Sequence, residues 1–436
     1  MRIAYLVHQY LPGHIGGTEL YTRNLAIRSR EAGHEVCVIT HEETHSLEAA
    51  DFGITEDIHE GIPVFRLRHN LGATNNVALC EHDNADTGAM ARAVLEKFQP
   101  DLVHVLHLLK LSASAMRAAV DLGIPCVVTL CDFWAVCPRH SLLRWNGELC
   151  RGPRHRFDCM RCFHDLHGVP RGPLQDLPEQ KMWSRTRRAL WFGRSKKTGF
   201  LAETRALAKR NHVLRQTLLR AERLIALSDF LKDIMVANNY PDEQIMVCTH
   251  GLETASLEMH RGTKTKNEVP VFTFVGGYSD FKGLPLLLEA LAGRQDLGLE
   301  LQVFAYGRSP QGSTTDPRVK HRGTFPPERI GEILAGSDFL VVPSRWYENE
   351  PLVVKAARYL GLPVITGDIG CLPAMVAGDP QSRLVQPHDS AQAWGEVLAA
   401  CCEDVPRERV PGSVKSIDEN HREMLAIYDE VATERP

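Results

Sequence analysis

The stretch Val341–Ile365, VVPSRWYENEPLVVKAARYLGLPVI, reads as a strand, a turn, a helix and a second strand. Val341 and Val342 end an apolar run that begins at Phe339, and Pro343-Ser344 breaks it. Pro351 suits the start of a helix, where a missing N–H costs nothing and φ is already set. Gly361-Leu-Pro363 then closes that helix before Val364-Ile365 resumes the strand pattern. Apolar runs separated by helices belong to parallel sheets buried on both faces. The turn carries Glu348 and Asn349, just ahead of the open N–H groups of Leu352 and Val353. A carboxylate that accepts from hydroxyls, followed by amides free to donate, makes a clamp for sugar and phosphate.

The same alternation extends outward in both directions. Upstream, strands are expected at 3–7, 35–40, 64–67, 102–105, 126–130, 224–227 and 245–248, with helices such as Thr18–Glu31 and Ala89–Phe98 between them. Downstream of Pro270 they recur at 271–275, 301–305, 339–342, 364–365 and 384–385. The polar run RGTKTKNE, 261–268, interrupts the pattern as a linker would. The chain has 436 residues, more than one hydrophobic core usually supports. The expected architecture is therefore α/β, with two sequential Rossmann-like domains, 1–260 and 271–413, joined by a linker at 261–270. In such folds ligands bind at the carboxyl ends of the strands, here in a cleft between facing sheets. No GxGxxG fingerprint occurs, so a nicotinamide-dependent oxidoreductase loses its main support.

Two glycine pairs stand at such strand ends. Gly16 and Gly17 precede Thr18-Glu19 at a helix start, where unobstructed N–H groups suit a phosphate or sugar; a flexible turn is the plainer reading. Gly276 and Gly277 follow the strand at 271–275, and Lys282-Gly283 lies five residues further on. An ammonium so placed neutralises a diphosphate leaving group, unless it is simply a solvated lysine.

Composition narrows the class. Lys plus Arg total 50 against 54 Asp plus Glu, a net charge of −4, which gives no case for a nucleic-acid partner. No run reaches the ~18–20 apolar residues of a membrane span, and Ile3–Val7 is too short for a signal-peptide core. A cytoplasmic protein is expected. Charge is nevertheless uneven: 171–223 holds 14 Lys or Arg against four acids. Within it, KMWSRTRRALWFGRSKK (181–197) mixes Trp and Phe with seven basic residues, and Leu207, Leu214 and Leu218 mark a helical face. A solvated helix pair packed on the first domain is one reading; peripheral contact with an anionic membrane or a phosphate-bearing acceptor is the other.

Cys137, Cys150, Cys159 and Cys162 are separated by 12, 8 and 2 residues inside the same insertion, about 137–223. Either four thiolates close a structural zinc site, with His140, His155 and His164 as alternative ligands, or they are free thiols in a reducing compartment. His8, His104 and His107 fall at strand ends of the first domain, where each is an acceptor-facing group or a structural histidine.

The Gly16-Gly17-Thr-Glu loop, Gly33-His-Glu-Val36, Gly276-Gly277 with Lys282-Gly283, and PSRWYENEPLVV with GLPVI resemble the landmarks of the family-four retaining, nucleotide-sugar-dependent glycosyltransferases. They occur in family order across nearly the whole chain. The resemblance implies the GT-B fold, a donor held mainly by the C-terminal domain, and a helix at about 414–436 crossing back to the N-terminal domain. It implies that Lys282 holds the donor diphosphate, that Glu348 contacts the donor sugar with Asn349 and Pro351 beside it, and that Leu352 and Val353 offer amides. Gly16 and Gly17 would face the donor phosphates and acceptor, Gly276 and Gly277 would bind the donor, and Phe325 would face the nucleobase. His107, Cys131 and Asp132 would face the acceptor, with Cys131, Asp132, Lys282 and Glu348 as the catalytic set. No catalytic metal is implied; a UDP- or GDP-sugar is the co-substrate.

Several positions depart from the family pattern. Eight residues after Glu348 stands Ala356, where the family's E-x7-E motif places the glutamate that binds ribose hydroxyls. Lys355 and Glu350 are the available substitutes. Ala374 replaces a frequent Glu, Cys131 a usual His, and Gly277 a frequent Arg. These changes point to an unusual donor, an unusual acceptor or lapsed catalysis. The leading expectation is transfer of a sugar to a glycan or lipid-linked glycan of envelope or exopolysaccharide assembly. Glycosylation of a small metabolite, and a lapsed GT-B binding module, are the alternatives.

Overall fold

A computed structural model describes residues 1–43, 53–69, 77–153, 156–166, 198–306 and 316–433. The chain divides into two units, Met1–Cys248 with His421–Pro436, and Thr249–Asn420.

In the first unit the described strands are β1 (Arg2–Val7), β2 (Glu35–Glu43), β3 (Gly53–His59), β4 (Ile62–His69), β5 (Leu102–Val105), β6 (Cys126–Leu130), β7 (Arg223–Ala226) and β8 (Ile245–Val247). They form one sheet in the order β3-β4-β2-β1-β5-β6-β7-β8. Every pairing is parallel except β3 with β4. Ile3–Val7 and Cys126–Val128 are buried, as strands covered by helices on both faces must be. The sequence pattern did not reveal β3: its residues are almost all exposed, so it lacks an apolar run. Its hairpin with β4 turns on Glu60 and Gly61, both at positive φ (50° and 77°), the geometry of a tight two-residue turn.

The final helix, Ile417–Thr433, begins in the second unit and belongs to the first from His421 onward. Met424, Ile427, Tyr428 and Val431 form its buried stripe at helical spacing. The Tyr428 hydroxyl lies 2.6 Å from His104 Nδ1, and His421 Nε2 lies 3.0 Å from Ser29 Oγ.

The second unit holds β9 (Val271–Gly277), β10 (Glu300–Tyr306), β11 (Val319–His321), β12 (Phe339–Val342), β13 (Val364–Gly367) and β14 (Arg383–Val385). The sheet is parallel, in the order β11-β10-β9-β12-β13-β14. Phe272 stacks on Phe339 at 5.1 Å in a core that includes Leu301, Val303, Ile365 and Trp394. Within this unit the outgoing and returning chain pair with each other: Leu252 N–H donates to Lys415 C=O (3.0 Å) and Ile417 N–H to Leu252 C=O (2.8 Å). The run at 261–268, expected as a linker, lies inside the second unit.

Candidate functional site

At the carboxyl end of β9, the turn Ser279–Lys282 carries the lysine toward the segment that follows β12. Ser279 Oγ accepts from Lys282 N–H (3.4 Å), and Phe281 C=O accepts from Arg345 N–H (2.8 Å). Gly283 sits at φ +78°, and a Cβ there would overlap the Pro343 carbonyl oxygen. Only glycine allows both the left-handed backbone and that approach. The result brings Lys282 Nζ to 2.8 Å from Glu348 Oε1. The same oxygen accepts from Ser344 Oγ (2.6 Å) and Trp346 Nε1 (2.8 Å), and the ammonium lies 5.0 Å from the Trp346 ring centre. Burial pushes the Glu348 carboxyl up, but the Lys282 charge and the three hydrogen bonds outweigh it and hold it below its ordinary value.

The helix Leu352–Leu360 starts at Pro351 with no side chain capping it. Asn349 is buried beside Glu348. Gly276 and Gly277 end β9 opposite Ala305 and Tyr306 of β10, and Phe325 lies edge-on to Phe304 at 5.4 Å. Ala356 is buried. The two substitutes considered for its missing carboxylate are occupied elsewhere. Glu350 Oε1 pairs with Lys355 Nζ at 2.6 Å, and Oε2 accepts from His250 N–H at 2.5 Å. Lys355 also donates to the His250 carbonyl. Burial pushes the Glu350 carboxyl up despite Lys355 beside it. Together these groups fix both polar backbone atoms of His250, near the start of the second unit.

In the first unit, the carboxyl ends of β1, β5 and β6 assemble another group. His107 Nδ1 accepts from Leu109 N–H (3.1 Å), so its Nε2–H is the donor to Asp132 Oδ2 (2.9 Å). Asp132 Oδ1 accepts from Trp134 N–H at 2.7 Å, and His140 Nδ1 is 3.9 Å from Oδ2. Burial raises the Asp132 carboxyl, yet the two histidines and the Trp134 amide bring it down to about 2. The His8 ring lies 4.4 Å from that of His107, and His8 Nε2 is 3.5 Å from Glu19 Oε1. Burial, then the nearby Asp132 charge, push the Cys131 thiol far above its ordinary range, and a hydrogen bond with Thr18 ties it to the Gly16-Gly17-Thr-Glu loop. Such a shift keeps the thiol protonated at neutral pH. A small cavity of about 30 Å³ lies against His107, Cys131, Asp132 and Trp134. His104 belongs to the core instead: its nitrogens meet the Tyr428 hydroxyl and Thr129 Oγ1 (2.8 Å).

Cys137, Cys150, Cys159 and Cys162 share one neighbourhood. Burial is the main reason that the Cys159 and Cys162 thiols rise to about 12 and about 11, and the other cysteines add to it. All are free thiols, and among the described residues no three His, Cys, Asp or Glu side chains form a metal-holding group. His155 and the basic run 181–197 lie outside the described residues; Leu214 and Leu218 are buried on the helix Thr198–Leu218 that follows the run. Among the described residues no helix is long and apolar enough to cross a membrane.

Ser344, Trp346 and Glu19 were given no side-chain role from sequence, and His140 was considered only as an alternative zinc ligand. Ser344 and Trp346 precede Glu348 at two-residue spacing, a signal that was legible. His140 lies eight residues beyond Asp132 and reaches it only through the turns at 133–140.

Two Rossmann-like units, each built on a largely parallel sheet, are the architecture of the GT-B glycosyltransferases. A model of the glycosyl transferase 4-like domain matches residues 16–251, and one of the group 1 glycosyl transferases matches 269–404. The chain belongs to the glycosyl transferase 4-like family. A D-inositol 3-phosphate glycosyltransferase of Corynebacterium efficiens is 29% identical over 180 residues, 38% of this chain and 42% of that protein. This chain thus spans less than half the length of the curated relatives of that kind. Among solved structures, a sucrose-phosphate synthase from Thermosynechococcus elongatus superposes with a TM-score of 0.59 at 17% identity, covering 99% of this chain and 96% of that one. Anabaena HepE in complex with UDP does so at 0.57 and 16%, covering 100% and 98%. At these identities the likeness concerns the fold.

Proposed function

We propose that the protein is a retaining glycosyltransferase that moves a sugar from a nucleoside-diphosphate sugar to an acceptor hydroxyl. The observation that carries this reading is the Lys282–Glu348 pair, held by Ser344 and Trp346 at the strand ends of the second unit. A diphosphate arriving there meets the Lys282 ammonium, together with the uncapped amides of Leu352 and Val353. Glu348, freed of part of its load on Lys282, accepts from donor-sugar hydroxyls. Gly276 and Gly277 leave room for the donor, and Phe325 supplies an aromatic wall for the base. Such a site works by positioning and charge stabilisation and asks for no metal. The UDP held by a neighbour of this fold supports a nucleotide donor.

His107, Cys131 and Asp132, with Gly16 and Gly17, form the acceptor side of this reading. The acceptor is a glycan or lipid-linked glycan; the small-molecule acceptor in the name of the inositol 3-phosphate relative favours the second reading, a metabolite. Ala356, with Glu350 and Lys355 both engaged, favours a third, a lapsed enzyme that still binds. A cytoplasmic site of action, peripheral contact through 171–223 and a structural zinc on the four cysteines complete the proposal. The zinc rests on their spacing and mutual influence, and metal analysis of the purified protein decides it.

Thermal-shift titration with UDP, GDP, ADP, TDP and CDP tests the central reading. A ligand at a hundred times its Kd stabilises by about 2.7 kcal/mol. A shift with one base, lost in Lys282→Ala, is the expected result; no shift with any nucleotide sinks it.

A further inference from the structure

Glu19 is a carboxylate that the fold buries without satisfying. Its side chain is 3% exposed, and Oε1 has no hydrogen-bond partner. Its other oxygen lies against Gly16, where a Cβ would come within 2.5 Å of it. That contact has the geometry of an acid at the third helical position folding back on the helix start, which explains one oxygen and leaves the other. His8 repeats the pattern: Nδ1 is buried without a partner, and Nε2 is 3.5 Å from the orphan oxygen, beyond good hydrogen-bond reach. Buried polar atoms in native proteins are rarely left so, and an ordered water or a ligand completes them.

These orphans do not stand alone. His8 lies on His107, which donates to Asp132, and Thr18 ties the Glu19 loop to Cys131. The loops framing the group are strained: Lys110 and Ser112 after β5, and His140 and Leu142 after β6, have φ of 66°, 59°, 49° and 51°. They are four of the seven non-glycine residues described at positive φ, and such strain gathers at binding sites.

The charges specify the ligand. Asp132 is anionic, and Glu19 supplies a second carboxyl group. His8 and His140 are neutral, their pKa values lowered chiefly by burial. Basic groups that act on these histidines are already paired, Lys110 with Glu43 at 2.6 Å and Arg139 with Asp165 at 2.7 Å. Arg210 donates to the carbonyls of Trp134 and Cys137. Carboxyl groups beside neutral imidazoles match hydroxyl groups, which donate and accept; a phosphate dianion would face the Asp132 charge with the neighbouring cations spent.

We propose that Glu19, His8 and the His107–Asp132 pair form an acceptor pocket for an uncharged polyol or saccharide, which discriminates against the phosphate ester of the same molecule. The proposal rests on the glycosyltransferase reading for the pocket's role, but its test is a binding test. Ligand-observed NMR titrations of the full-length protein would use glucose, glucose 6-phosphate, myo-inositol and myo-inositol 3-phosphate. The wild type should bind the neutral member of each pair at least tenfold more tightly. Glu19→Gln, which keeps the shape, should weaken neutral binding at least tenfold. His8→Gln serves as the second variant should Glu19→Gln fail to fold. Equal or tighter binding of the phosphates, no saccharide binding, or unaltered binding in a folded variant overturns the pocket. Absence of any nucleotide shift overturns the glycosyltransferase reading instead, and the saccharide titrations still decide this one.

Discussion

Lys282 Nζ and Glu348 Oε1 lie 2.8 Å apart, and that single carboxylate oxygen also takes the Ser344 hydroxyl and the Trp346 indole N–H. The lysine proposed to hold the donor diphosphate is thus fixed by contacts within its own unit. Lys282→Ala should abolish the nucleotide-induced thermal shift. It should also lower stability by about 1–3 kcal/mol, because a buried carboxylate loses its charged donor. Urea denaturation of the free protein measures the second effect separately.

Trp346 supports the pair in two ways, as hydrogen-bond donor to Glu348 and as the ring under the ammonium. Trp346→Phe keeps a ring and removes only the donor. A loss of about 1–2 kcal/mol is expected, with weaker nucleotide binding. Trp346→Leu, which removes both contacts, should lose more in each measurement.

Gly283 is demanding on two counts, a left-handed backbone and contact with the Pro343 carbonyl. Gly283→Ala should cost more than about 3 kcal/mol, beyond the usual range for a substitution. It should also displace Lys282 from Glu348. Nucleotide titration of whatever folds would show affinity lost although every side chain proposed to face the nucleotide is intact.

Lys355 and Glu350 form a buried pair on the backbone of His250. Removing one partner strands the other, typically at about 3–5 kcal/mol. Lys355→Met and Glu350→Gln should each destabilise strongly, and the double variant should lose clearly less than the sum. Additive losses in a double-mutant cycle would show the pair to be uncoupled.

Burial lowers His104 from 6.5 to about 3. The folded protein therefore holds this imidazole neutral while the unfolded chain protonates it below about pH 6.5. Its contribution is fully present above that pH and is lost as pH falls toward 3, the direction set by proton linkage. Replacing His104 with Gln should flatten stability against pH across this window in urea titrations. It should also loosen the docking of Tyr428, seen as faster amide exchange in the helix Ile417–Thr433.

Much of the fold was legible because buried parallel strands leave apolar runs, and 102–105, 126–130 and 339–342 are strands in the structure as expected. The strand Gly53–His59 was not, since an exposed edge strand carries no such run. The candidate site divides in the same way. Lys282 and Glu348 were visible because each sits in a stretch whose turns are punctuated by Gly and Pro. The state of Glu350 was not: a carboxylate next to the motif looks available until the fold brings His250 and Lys355 onto it.

Local sequence determined the alternation of strands and helices, the glycine and proline turns, and the residue types offered at strand ends, because those follow from backbone geometry and short-range burial. Tertiary structure alone decided which groups meet. That His8, Glu19, His107 and Asp132 form one cluster, that three donors converge on one oxygen of Glu348, and that Cys131 stays a neutral thiol all depend on contacts between segments far apart in the chain. Their spacing and desolvation arise only once the sheets are assembled.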